Sequence, residues 1–187
     1  GTGGTAAGTP AAGTPATGGA LATGGTGMAG MGTDMGLSLT DPGVMQCVTD
    51  AMGSGAMQVC AECACRNCLT DAQGVYGNAN ADLAAKAQAV VTCGQNVCCK
   101  GTECYCGLVD GKVNLVMCGM MPKGPCVKEI EAAAGATGLG GIAPKAYDKT
   151  NPLGVAYAYG ACVTGNPMPT VGPPIVGKCT AECSMCK

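Results

Sequence analysis

The chain has 187 residues, of which 12% are charged, a formal net charge of −2, sixteen cysteines, five tyrosines and no histidine, tryptophan or phenylalanine. Positive charge is limited to Arg66 and scattered lysines. This excludes a nucleic-acid surface, which needs a clustered basic patch. Without histidine there is no C-x-x-C-H site for c-type haem and no imidazole for general acid–base catalysis.

Residues 1–40 read as an extended arm or linker. Residues 1–33 are uncharged and rich in Gly, Thr and Ala, and the pentapeptide Ala-Ala-Gly-Thr-Pro occurs at 6–10 and again at 11–15. Such composition buries too little surface to order itself alone. The Thr-Pro pairs at Thr9 and Thr14 are candidate O-glycosylation acceptors, as in a mucin-like stalk. Fully extended, forty residues reach about 130 Å, far enough to cross onto neighbouring copies. Leu21, Met28, Met31, Met35 and Leu37, among its large apolar residues, are the candidate subunit contacts. Thioether runs such as Met28, Met31 and Met35 can hold copper(I), but adaptable apolar contact is their commoner use.

Residues 41–187 read as one disulfide-crosslinked domain. Asp41-Pro42 is an N-cap followed by proline at the first helical position, and opens a helix to about Met52. Ser54 is positioned to cap a second helix running to about Asp71. Asn80 or Asp82 starts a third, alanine-rich helix to about Thr92, with Gly94 placed to end it. Residues 103–109 and 112–118 flank Asp110-Gly111, a favoured two-residue turn, and predict a β-hairpin that brings Cys104 close to Cys118. A helix from Cys126 to about Ala134 closes at Gly135, and Asn151-Pro152 opens another to Ala161 or Cys162. Residues 164–178 are rich in Gly and Pro and read as irregular. The expected fold is small and disulfide-rich, mainly α with one β-hairpin at about 103–118.

The cysteines are Cys47, Cys60, Cys63, Cys65, Cys68, Cys93, Cys98, Cys99, Cys104, Cys106, Cys118, Cys126, Cys162, Cys179, Cys183 and Cys186. An even number at this density signals a disulfide scaffold and an oxidising compartment, extracellular or at the cell surface. Bridges also compensate for a core without large rings, at about 2–4 kcal/mol each. Pairing is not readable from spacing. Cys60-x2-Cys63-x-Cys65-x2-Cys68 also resembles a thiolate ligand set for zinc or copper. The even count in an exported chain favours bridges, and no bound metal or cofactor is expected. Asn78, Asn80 and Asp82 lack the later bidentate Glu of a calcium loop and suit helix capping. Twelve scattered carboxylates and three serines form no catalytic constellation, so no enzyme is expected. A start at Gly1 without Met predicts a cleaved leader, and no run of 18 apolar residues predicts a transmembrane helix.

Several stretches resemble cysteine-rich exported proteins of myxobacteria and related bacteria. They are Cys60-x2-Cys63-x-Cys65-x2-Cys68, Glu103-Cys104-Tyr105-Cys106-Gly107, Lys123-Gly124-Pro125-Cys126 with Glu129-Ile130-Glu131, and Pro152-Leu153-Gly154 before Cys162. The resemblance implies export and disulfide bonding and names no activity. The sequence therefore points to a non-enzymatic structural subunit of an extracellular assembly, a filament of identical copies whose arms contact neighbouring subunits. The alternatives are a secreted Cys/Met protein binding copper or zinc, and a surface-anchored binding domain on a spacer.

Overall fold

The computed structural model describes residues 36–166 and 175–183. Thr9, Thr14, Leu21, Met28, Met31, Met35 and Cys186 lie outside them. The described chain is mainly helical, and its helices begin where local chemistry satisfies their first amides. Helix α1 (Pro42–Gly53) starts at Asp41, whose Oδ1 accepts from the Gly43 and Val44 amides at 2.8 and 3.4 Å. Val44, Cys47 and Ala51 form its buried stripe. Ser54 does not cap a second helix. It ends α1, donating its hydroxyl to the Asp50 carbonyl.

The second expected helix is broken in two. Helix α2 (Gln58–Asn67) stops at Cys68, and α3 (Leu69–Tyr76) begins there. The kink turns Cys68 inward to bridge Cys162. Helix α4 (Ala81–Val97) starts at Asn80, whose side chain accepts from the Leu83 amide at 3.1 Å. It runs past Gly94 and ends at Cys98, a non-glycine residue in the left-handed region at φ 58°. Gly94 instead provides a bare surface for the next bridge: its carbonyl accepts from Cys99 N–H at 3.2 Å, and Cys104 Sγ lies 3.9 Å from where a Cβ would stand.

The expected hairpin at 103–118 does not form. Helix α5 (Glu103–Cys106) and helix α6 (Leu115–Met120) take its place. Only the turn survives: Asp110 and Gly111 have φ 51° and 74°, and Val109 and Lys112 exchange both backbone hydrogen bonds across it. Strand pairing stops there for two reasons. A lone hairpin has no third strand or packed face to support it, and Asn114 caps α6 by accepting from the Met117 amide at 3.0 Å. The sulfur pairing changes with it. Cys118 bridges Cys106, and Cys104 bridges Cys99.

Helix α7 (Val127–Ala134) closes at Gly135 in the left-handed region, followed by α8 (Gly138–Ile142) and a 3₁₀ turn (Ala143–Tyr147). Helix α9 (Pro152–Thr164) starts at Asn151, which accepts from the Leu153 amide and donates its side-chain amide to the Ala134 carbonyl at 3.2 Å. It packs against α3, α4 and α7. Two two-residue strands, β1 (Gly165–Asn166) and β2 (Ile175–Val176), pair antiparallel within the stretch read as irregular.

One core gathers α1–α4, α9 and Cys179–Cys183 around Val44, Val75, Tyr159 and several bridges. Its largest rings, Tyr76 and Tyr159, meet edge to face at 5.6 Å between centroids. A second core joins Tyr105, Cys118, Cys126, Ile130, Ile142 and Leu153. Cystine sulfur fills space that phenylalanine would occupy in a core of ordinary composition. Seven bridges join pairs of described residues: Cys47–Cys65, Cys60–Cys183, Cys63–Cys179, Cys68–Cys162, Cys93–Cys126, Cys99–Cys104 and Cys106–Cys118. Cys98 is also disulfide-bonded, and no described cysteine is free.

Candidate functional site

The feature that sets this molecule apart from an ordinary cross-linked body is an exposed apolar tip at 108–121. Within α6 only Cys118 is buried. Around it Val116 is 76% exposed, Met120 77% and Met121 65%, with Leu108, Val109, Val113, Leu115 and Met117 also exposed. The Cys106–Cys118 bridge, 12 residues apart, closes the base of this loop. Residues 123–126 fix it further by running along the carbonyls of α5. Lys123 N–H donates to Cys106 O at 3.4 Å, Gly124 N–H to Tyr105 O at 2.8 Å and Cys126 N–H to Cys104 O at 3.0 Å. Gly124 is required there, because a Cβ would collide with the Cys104 carbonyl. Tyr105 anchors the same region, its hydroxyl donating to Glu131 at 2.9 Å and accepting from Gly138 N–H at 3.1 Å. Burial raises its pKa.

The tip is thus a rigid presentation of large apolar side chains with no cover among the described residues. Its only charges, Asp110 and Lys112, cancel. Contiguous apolar exposure of this kind marks an association surface. The signal in the sequence is the run Val113-Asn-Leu-Val-Met-Cys-Gly-Met-Met, which is too continuous for a half-buried strand even though the Asp110-Gly111 turn invites a hairpin.

Of the expected contact residues, Leu37 alone is described. Its side chain is exposed, while its backbone is tied to α2: Leu37 N–H donates to Arg66 O, and Arg66 Nε donates to Leu37 O, both at 3.0 Å.

A shallow open cleft of about 370 Å³ lies beside α9, lined by Asp71, Tyr147, Lys149, Tyr157, Cys162 and Lys178 among others. Asp71 and Lys149 satisfy each other at 3.0 Å, and the two tyrosine rings meet at 5.5 Å. Burial, and next to it the Tyr147 hydroxyl, raise the Tyr157 pKa. No charged side chain is buried among the described residues.

The cysteines placed in the C-x2-C cluster are separated by the fold. Cys60, Cys63, Cys65 and Cys68 each take a different partner. A different group converges instead: the sulfurs of Cys99, Cys104 and Cys126 lie within 4.8 Å of one another, each held in a disulfide. No helix among the described residues is long and apolar enough to cross a membrane. No family model, curated protein or solved structure matches the chain.

Proposed function

We propose that the protein is a structural subunit of an extracellular assembly of identical copies, and that the apolar tip at 108–121 is a contact through which copies join. The observation that carries this reading is the exposure of Val116, Met120 and Met121 on a loop locked by Cys106–Cys118. Disulfides throughout the body support an oxidising compartment. Sparse charge removes the repulsion that keeps small domains apart. The partner surface is the Leu21–Leu37 stretch of a neighbouring copy, whose leucines and methionines match the chemistry of the tip. Contacts of this unlike kind generate filaments where the rotation between copies does not close a ring.

The test is sedimentation velocity and negative-stain imaging of the full chain beside V116E/M120E. Burying one such side chain contributes about 1.5–3 kcal/mol, so the double change lowers association by roughly a hundredfold or more. Both positions are exposed, so Tm shifts by no more than about 4 °C. A wild-type chain that stays monomeric at all concentrations overturns the reading.

A further inference from the structure

The convergent sulfurs define a second site, independent of assembly. Cys99 Sγ lies 3.7 Å from Cys126 Sγ although the two are not bonded to each other. The bridges they belong to differ sharply. Cys99–Cys104 joins residues five apart, with both ends half-buried, whereas Cys93–Cys126 joins residues 33 apart, its Cys93 end half-buried and its Cys126 end completely buried. The fold builds this proximity deliberately. The left-handed turn at Cys98 swings Cys99 back over α4, and Cys126 N–H is pinned to Cys104 O at 3.0 Å.

We propose that Cys93–Cys126 and Cys99–Cys104 form a thiol–disulfide exchange relay, opened by a small external thiol and delivering a free thiol at Cys93. A short-loop bridge gains least from chain entropy and is the easier to open. The incoming thiolate attacks Cys104 Sγ and forms a mixed disulfide there. The Cys99–Cys104 bond breaks, and its electron pair leaves on Cys99 Sγ. That thiolate, already 3.7 Å away, attacks Cys126 Sγ. The Cys93–Cys126 bond breaks, and Cys93 Sγ leaves with the electron pair and takes up the proton lost by the incoming thiol. One thiol is consumed and one appears, the number of disulfides is conserved, and no oxidant is needed. Burial keeps solvent thiols from the Cys126 sulfur, so Cys99 is the route by which that sulfur is reached. A second thiol group on the same reagent would resolve the adduct at Cys104 and leave it free.

The experiment treats the full oxidised chain with a limiting amount of 2-mercaptoethanol, traps thiols with N-ethylmaleimide and maps peptides by mass spectrometry. The relay gives a mercaptoethanol adduct on Cys104, a cross-linked Cys99–Cys126 peptide pair and the greater share of maleimide on Cys93. Maleimide on Cys99 with Cys93–Cys126 intact overturns it, as does an adduct on Cys99 with Cys104 labelled. In C99S/C104S the label on Cys93 falls to the untreated level. Labelling of Cys93 at the wild-type rate in that variant, with its circular dichroism unchanged, overturns the relay as well.

Discussion

Three bridges tie α2 and its end to the C-terminal part of the chain in order: Cys68 to Cys162, Cys63 to Cys179 and Cys60 to Cys183. The arrangement resembles lacing, and it makes the rungs redundant in a calculable way. Cys60 and Cys63 are three residues apart, and Cys179 and Cys183 four apart. With one of these bridges in place, the other closes a ring of about seven residues, which chain entropy values at about 2 kcal/mol. With both removed, the nearest remaining bridge is Cys68–Cys162, and the first rung to be restored closes a ring of about 22–29 residues, at about 3.5 kcal/mol. C60A/C183A and C63A/C179A are therefore each expected to lose about 2 kcal/mol, and the quadruple variant about 5.5 kcal/mol. The excess of roughly 1–1.5 kcal/mol over additivity is the quantity to measure, because losses from truncating the four sulfurs largely cancel in the cycle. Guanidinium unfolding followed by far-UV circular dichroism reads it. Strict additivity, or a single pair that costs as much as both, refutes the lacing.

Gly154 is buried on α9, and a Cβ there would collide with the Asp148 carbonyl and stand 2.9 Å from Lys145 O. G154A is expected to lose about 1–3 kcal/mol, lowering Tm by roughly 3–10 °C in thermal circular dichroism; an unchanged Tm contradicts the packing described. Burial raises the Tyr76 and Tyr159 pKa values in the fold, while in the unfolded chain both phenols ionise near about pH 10. The unfolded state therefore sheds these protons first. The stabilisation is complete below about pH 10 and is lost as pH rises above it. Phenolate absorbance from these two residues should appear together with loss of circular dichroism, and Y76F/Y159F should move that transition to higher pH. Phenolate signal from them at about pH 10 in an intact fold contradicts this.

Three of the helix starts were legible in the sequence because capping is local. Asp41, Asn80 and Asn151 each satisfy amides two or three residues downstream, and Pro42 and Pro152 fix the first helical residue. The Asp110-Gly111 turn was legible for the same reason. Its flanks were not, since a strand needs a partner surface that only the rest of the fold can provide, and none is built there. The break at Cys68 and the continuation of α4 past Gly94 likewise depend on where Cys162 and Cys104 arrive from elsewhere in the chain.

Composition by itself determined that this would be a cross-linked body, since a chain with no Phe or Trp and so many cysteines has few other ways to gain stability, and local capping signals that it would be mainly helical. Tertiary structure decided which cysteines meet. A bridge requires Cα atoms roughly 4.4–6.8 Å apart, and the clustered Cys60–Cys68 residues, neighbours in sequence, point from one helix and its end toward separate partners. The same packing buried Cys118 while leaving its neighbours exposed, and it brought Cys99 against Cys126 across 27 residues of chain. The exposed tip and the exchange site both arise from contacts between distant residues, which spacing along the chain does not encode.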